Sequence, residues 1–308
     1  MQTAIINLPV IYKKKQSLED TAPVKRKKQK EVVIVSTDKS TQLNSSFYKK
    51  SHHFIFAYLD LSPREHDIFS LLLSRIHETH WKSLIDSDDD EKKEALSLEY
   101  TFNNQVLSEW LGVEPKKLYS CLKIPISKLA TKAIGRLDDV IEDAELTPLF
   151  SQITYSKGVL RILPNDLLYR EWLSLSGGHA QVSIKSTKEL KRGYSKRLYA
   201  MLSRFKDPKF KLQSQTITDL YLMFGLVHPN GSHKLDSYKD VKLFMKNCIR
   251  DSIKEIMSVE DDITFHKSPN SKDIGFTPIK RGSSIYALDF LFTWKPSKHE
   301  NMAEFIKA

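Results

Sequence analysis

The chain has 308 residues, 48 of them Lys or Arg and 38 Asp or Glu, a formal net charge of +10. At roughly 150 residues per domain, that length suggests two domains, each able to bury its own core. Two cysteines, Cys121 and Cys248, are too few for a disulfide framework or a thiolate zinc cluster and fit a reducing cytosol. No apolar run approaches the ~18 residues of a membrane span, and the basic start lacks the apolar core and cleavage site of a signal peptide.

The positive charge is unevenly placed. Residues 1–60 carry 11 basic and 5 acidic side chains (+6), residues 61–100 carry 5 and 10 (−5), residues 181–257 carry 16 and 7 (+9), and the other segments balance. Lys13-Lys14-Lys15 and Lys25-Arg26-Lys27-Lys28-Gln29-Lys30 lie in a polar stretch without period. Such a segment buries too little apolar surface to offset its ordering entropy. A disordered basic arm is expected to about residue 45, with Val32–Val35 as an edge strand and with phosphates as its electrostatic target. Asp86–Glu91 reads as a solvated acidic loop.

Ser62-Pro63-Arg64-Glu65 is a helix start with an N-cap, a first-turn proline and a capping box. Ile68, Phe69, Leu72, Leu73 and Ile76 follow at helical spacing. Leu96, Leu98, Tyr100 and Phe102 alternate as a strand. Asn103 or Asn104 caps a helix through Val106, Leu107, Trp110 and Leu111, closed by Gly112. A second helix starts at Pro115, with Leu118, Leu122, Ile126 and Leu129 inward and Lys116, Lys117, Ser120, Lys123 and Lys128 outward; Pro125 is expected to kink or break it. Asp138, Asp139, Glu142, Asp143 and Glu145 read as a solvated helix face. Ile153–Tyr155 and Val159–Ile162 flank a tight Ser156-Lys157-Gly158 turn. Helix, glycine-bearing turn, helix and hairpin together read as a winged helix. Asn165 then caps a helix containing Leu167, Leu168, Trp172 and Leu173, ending at Gly177-Gly178.

The order repeats. A helix is expected over Ser195–Phe205, a strand over Lys211–Gln215, and a helix capped by Thr216 and closed by Gly225. Across Ser237–Ser258, Val241, Phe244, Met245, Cys248, Ile249, Ile253 and Ile256 form an apolar stripe. Lys242, Lys246, Arg250 and Lys254 recur every four residues on another face, near Lys239 and Asn247. Like charges at this spacing repel, and phosphates opposite them relieve that repulsion; Arg and Asn also read guanine and adenine edges. A hairpin follows: Ile263–His266, Ile274–Ile279, a turn at Lys280-Arg281-Gly282-Ser283, and Ile285–Trp294. Lys280 and Arg281 would sit at the wing tip.

The second unit resembles the Rep initiators of iteron-containing bacterial plasmids, of the RepE and π type. The matching stretches are Tyr194-Ser195-Lys196-Arg197-Leu198-Tyr199-Ala200-Met201-Leu202, Tyr238 through Phe244-Met245-Lys246-Asn247 to Ile253-Lys254-Glu255-Ile256, and the strand, Lys-Arg-Gly turn and strand around Arg281. Val106-Leu107-Ser108-Glu109-Trp110-Leu111-Gly112 is similar in the first unit, so the resemblance covers roughly residues 45–295. Pro125 and Lys267–Asp273, which looks like an insertion, depart from it. The resemblance implies a cytoplasmic bacterial protein that binds tandem origin repeats in double-stranded DNA, helps melt the origin, recruits the host initiator and replicative helicase, and represses its own gene as a dimer with itself.

No P-loop is present. His52-His53 lacks the intervening hydrophobe of rolling-circle nickases, and His77 with His80 lacks a third metal ligand. No cofactor, metal or catalytic residue is expected. A dedicated winged-helix regulator and a DNA-nicking enzyme are the alternative readings. The expected architecture is α+β: a disordered basic arm (1–45), two tandem winged-helix domains (46–177 and 178–300) and a tail (301–308). Deleting residues 1–45 should weaken non-specific DNA binding and spare site preference, which competition against random-sequence duplex would measure. A loss of preference would show that the arm reads sequence.

Overall fold

Short apolar stretches bounded by polar caps set the order of the elements. The computed structural model describes residues 31–36, 46–81, 96–138, 143–175, 177–228 and 231–295. β1 (Glu31–Ser36) and β2 (Phe47–Ser51) precede α1 (His52–Phe56) and α2 (Pro63–Leu73). The capping box forms at α2: Ser62 Oγ accepts from the Glu65 N–H at 3.4 Å, and the Glu65 carboxylate accepts from the Ser62 N–H at 3.2 Å. Ile68, Phe69, Leu72 and Leu73 are buried, as their spacing requires.

β3 (Leu96–Asn103) buries Leu98, Tyr100 and Phe102. Asn103 Oδ1 accepts from the Val106 N–H at 3.0 Å and caps α3 (Asn104–Leu111), which ends at left-handed Gly112 with φ +62°. A 3₁₀ turn (Pro115–Lys117) leads into α4 (Leu118–Leu129). One helix runs through Pro125, which does not break it. Pro125 is buried on the same face as Leu118, Leu122 and Leu129. A proline inside a helix costs about 3 kcal/mol, and burying that apolar face offsets the cost.

The acidic stretch expected on a helix is a β-hairpin. β4 (Ala133–Asp138) pairs antiparallel with β5 (Asp143–Pro148), Asp138 opposite Asp143 and Arg136 opposite Glu145. Asp139 and Glu142 lie outside the described residues. Ile134 is buried between less buried neighbours, a period of two that the run of acids conceals. β6 (Phe150–Ser156) and β7 (Val159–Pro164) form the expected hairpin, with Lys157 and Gly158 both at positive φ, 49° and 78°. The helix expected from Asn165 is a 3₁₀ turn (Asp166–Leu168) followed by α5 (Tyr169–Trp172), and Leu167 is exposed rather than inward. Trp172 packs on Phe54, Phe69 and Phe150.

The first sheet has the order β1-β3-β7-β6, with β1 parallel to β3 at its edge. The strand expected at Val32–Val35 lies within β1; residues 1–30 and 37–45 of the arm lie outside the described residues. β8 (His179–Ser183) pairs antiparallel with β2, so residues 47–51 lie beside residues from beyond position 178. α6 (Ile184–Glu189) and α7 (Gly193–Ser203) follow. The strand expected over Lys211–Gln215 shortens to β9 (Gln215–Thr216), because only these two residues have ladder partners, Leu288 and Ala287. Thr216 caps α8 (Ile217–Met223), and Gly225 closes it at φ +68°, where a Cβ would stand 2.9 Å from Asp60 Cα.

α9 (Val241–Phe244), a π-helical turn (Met245–Arg250) and α10 (Asp251–Val259) form one continuous rod. β10 (Ile263–Phe265), β11 (Phe276–Arg281), β12 (Ser284–Phe290) and β13 (Phe292–Trp294) complete the chain. The strand expected over Ile285–Trp294 divides at Leu291, where the chain leaves β11 and pairs with β10. Ile274 makes only a lone bridge, to Lys267. β12 lies between β11 and β9, as β7 lies between β6 and β3. In each case a helix-turn-helix separates the first strand from the hairpin.

Buried residues of both halves form one cluster, and α7 runs through their junction. Arg197 is 3% exposed; its guanidinium donates to the Leu59 carbonyl at 2.7 Å and to the Ala57 carbonyl. Lys196 Nζ lies 2.7 Å from the Asp67 carboxylate and donates to the Thr187 carbonyl. Lys50 is 4% exposed, its ammonium over the Phe69 ring; burial and the charge of Arg197 push it down to about 7. Between pH 7 and 10.5 the unfolded chain holds a proton on Lys50 that the folded chain has lost, so stability rises with pH there, by about 1.4 kcal/mol per unit for one proton. Lys50→Met should therefore raise the melting temperature at pH 7, and its advantage should shrink as pH rises towards 10. A variant less stable than wild type at pH 7 would mean that the ammonium stabilises the junction.

Candidate nucleic-acid interface

In the first unit, α3, Gly112 and the 3₁₀ turn deliver the N-terminus of α4 to the surface, while Leu118, Leu122 and Leu129 anchor the other side of the helix. Lys116 and Lys117 share the Glu114 carboxylate at 3.4 and 3.3 Å, yet their side chains stay 78% and 64% exposed. Exposed pairs of this kind contribute at most about 1 kcal/mol, so an anion of higher charge can displace Glu114. Ser120 donates its hydroxyl to the Lys117 carbonyl at 2.8 Å and keeps its acceptor lone pairs free of that bond. Lys123 is exposed one turn further on.

In the second unit, the inward stripe forms as expected: Phe244, Met245, Cys248, Ile249, Ile253 and Ile256 are buried. Burial pushes the Cys248 thiol up to about 12, which suits a packing role. Lys242, Lys246 and Lys254 are exposed on the other side, without an ion pair among the described residues, and Asn247 is half-buried beside them. The π-helical turn lies in the middle of this stripe, where the Asp251 N–H reaches back five residues to the Lys246 carbonyl. Its wider turn brings residues four apart closer to alignment along the rod, which keeps the cations in a row.

In this second unit, two of the expected contact residues are tied within the chain. Lys239 pairs with Asp236 at 2.7 Å, both remaining largely exposed. Arg250 Nε lies 2.7 Å from the Asp273 carboxylate, and its guanidinium stands 5.8 Å from the Phe276 ring centroid. Arg250 thus braces the 267–273 loop, in which the Ser268 N–H also donates to the Asp273 carbonyl at 2.9 Å. At the wing, Lys280 and Arg281 stand at the end of β11 before the Gly282-Ser283 turn. The Arg281 guanidinium lies 3.5 Å from the Tyr286 ring centroid, so its plane is supported by its own hairpin.

Tyr119, which the sequence offers as a nucleophile only in principle and more naturally in a packing or groove role, and Ile124 are not among the expected contacts, yet they are 65% and 58% exposed on α4. Helical spacing already puts both on its polar side. The Asp273 partner of Arg250 has no local sequence signal, because the two are 23 residues apart and meet through a loop.

The two histidines after α2 are engaged in hydrogen bonds. His77 Nδ1 lies 2.9 Å from Thr79 Oγ1, and His80 Nδ1 lies 3.3 Å from Tyr100 Oη. Among the described residues, no three His, Cys, Asp or Glu side chains are placed to hold a metal ion. No helix among them is long and apolar enough to cross a membrane.

Residues 47–203 match the family model described as "Initiator Replication protein, WH1" (Rep3_N). No curated protein matches the chain. A solved structure described as the Pi initiator protein in complex with iteron DNA is similar in fold, with a TM-score of 0.52 at 16% identity, over 83% of this chain and all of that one. The first of the two strand–helix-turn-helix–hairpin units, with the β2–β8 ladder and α7 that close it, falls within the family match, which spans just over half the chain. The chain belongs to the initiator replication protein family.

Proposed function

We propose that this chain initiates plasmid replication by binding tandem origin repeats in double-stranded DNA. In this reading it has two winged helices in tandem, 46–177 and 178–300, preceded by a basic arm (1–45) and followed by a tail (301–308). One observation carries it: Lys242, Lys246 and Lys254 are exposed along one helical rod that is followed by a hairpin tipped with Lys280 and Arg281. That arrangement supports a rod lying in the major groove and a wing on phosphates or in the minor groove. Lys116, Lys117, Ser120 and Lys123 supply the corresponding contacts from α4, and Lys239 and Asn247 flank those of the rod. Repeats about two helical turns long match two such readers on one chain.

The reading extends to a cytoplasmic protein that helps melt the adjoining DNA, engages the host initiator and replicative helicase, and represses its own gene as a dimer. It acts by binding. Cleavage of duplex or single-stranded DNA in the presence of Mg²⁺ would overturn that part. Footprinting on the DNA beside its gene tests the core: several direct repeats should be protected, whereas a single protected palindrome would point to a dedicated regulator.

Lys242→Ala and Lys246→Ala should each lower the slope of log affinity against log salt by about one, the signature of one lost phosphate contact. If both slopes are unchanged, the rod does not face phosphates. Arg250 calls for a paired comparison. Asp273→Ala should lower the melting temperature by freeing the loop while leaving the salt slope alone. Arg250→Ala should do the same if the side chain only braces the loop; an added loss of affinity of about 1–3 kcal/mol would mark it as a base contact as well.

A further inference from the structure

Tyr119 and Ile124 occupy the middle of the exposed face of α4, among Lys116, Lys117, Ser120 and Lys123. Residues four apart are surface neighbours on a helix, so Tyr119 lies beside Lys123 and Ser120 beside Ile124, and the two pairs share the exposed side of α4. A single exposed apolar side chain needs no explanation. Two large ones framed by cations on a helix placed to enter a groove do.

The aromatic member is held in place. The Tyr119 ring lies nearly parallel to that of Tyr155, centroids 6.5 Å apart with 27° between planes. The Tyr155 hydroxyl donates to Asn104 Oδ1 at 2.8 Å. Asn104 in turn abuts the wing turn: a Cβ on Gly158 would come within 2.7 Å of Asn104 Nδ2. Wing and helix start thus position the Tyr155 ring against which Tyr119 stacks. The rod of the second unit differs. The side of it that carries Lys242 and Lys246 exposes no large apolar residue, and Met257 is exposed only near its C-terminal end.

Phosphates and most base-edge groups are polar, and burying an isoleucine or a tyrosine ring against them leaves polar groups without partners. The major groove offers one apolar group, the C5-methyl of thymine. We infer that α4 is a thymine reader: Tyr119 and Ile124 take up thymine methyl groups on either side of Ser120, while Lys116, Lys117 and Lys123 hold the flanking phosphates. The inference rests on the reading of this chain as a duplex-DNA binder and assigns base preference to its first unit.

The test uses the full chain and the duplex it protects in footprinting, synthesised with thymidine or with deoxyuridine, which pairs identically and lacks only the methyl group. Each contacted methyl should be worth about four-fold in affinity. Tyr119→Ser and Ile124→Ser should bind the thymidine duplex more weakly and should each narrow the preference for thymidine over deoxyuridine, the double variant abolishing it. Both positions are exposed, so the variants should stay folded at the assay temperature, with Tyr119→Ser losing at most the small contribution of its stack on Tyr155, and a melting curve separates the effect from misfolding. Lys246→Ala should bind more weakly and keep the full thymidine preference. Equal affinity of wild type for the two duplexes, or a preference that survives the double variant, overturns the inference and leaves DNA binding standing. Failure of the chain to protect any duplex overturns both readings.

Discussion

The arrangement of both units depends on how α7 keeps its cations out of water. Moving a guanidinium or an ammonium into a core is costly unless every donor finds a partner. Arg197 meets that condition only at its two terminal nitrogens, and with carbonyls rather than carboxylates, those of Ala57 and Leu59 in the segment between α1 and α2, while its buried Nε has no hydrogen-bond partner among the described residues. Burial still lowers it to about 10, so it remains charged at neutral pH. Lys196 takes the Asp67 carboxylate one helix away. His66, also buried, is held well below its ordinary value by burial and by the charges of Lys50, Arg197 and Lys196, and so stays neutral in this cationic setting. Removing Arg197 would leave the buried Ala57 and Leu59 carbonyls without that donor, and removing Lys196 would leave Asp67 to Arg64 alone.

The same helix is clamped at both ends from the second unit. At its N-terminus, Glu255 of α10 accepts from the Lys191 N–H and from Ser195 Oγ, each at 2.5 Å, and Arg192 pairs with Asp251 at 2.8 Å. These carboxylates face the positive end of the helix dipole, where negative charge is favoured. Glu260, one residue past α10, accepts from Ser186 at 2.8 Å and from the Tyr199 hydroxyl, and raises the Tyr199 hydroxyl further above the value that burial already gives it. α10 thus turns its acids and its apolar stripe toward α7 and Lys254 toward solvent. The cationic face of the rod is what remains once α7 has taken the other sides. Lys242, Lys246 and Lys254 stay close to one another because packing fixes the rod, and their mutual repulsion is a strain that an opposing anion relieves.

Much of this was legible locally. The Ser62 capping box, the left-handed turns at Gly112 and Gly225 and the Lys157-Gly158 hairpin turn all follow from residues within four positions of each other, and each formed. The apolar stripe of the rod was readable for the same reason. What failed depended on distant partners. Nothing near Pro125 announces that its face would be buried. β9 is short because β12 meets only two of its residues. The acids from Asp138 to Glu145 outweighed a single buried Ile134 as a signal. Arg250 looked identical to its neighbours in the stripe until the fold brought Asp273 to it. The division near residue 178 suits the repeat of elements, but the β2–β8 ladder and the buried cluster run across it. A linker reading from sequence therefore understates how firmly the two units are joined.

Joining them this way has a consequence for recognition. Two winged helices on a free linker would each find its own groove, and the cost of ordering the linker would fall on every binding event. Here β2–β8 pairing, the Arg197 carbonyl bonds, the Lys234–Asp60 pair at 2.5 Å and the close approach of Gly225 to Asp60 hold the units in register before any ligand arrives. Pre-organisation lowers the entropic cost of contacting two segments of one site. Under the proposed function it also makes the interval between the two contacted segments of one repeat a rigid requirement, because a duplex with an altered interval would have to twist or bend to meet both helices, at an energy that rises with the deformation. On that proposal the buried cations at α7 contribute to recognition without touching a ligand: they fix the distance over which the exposed cations can act together.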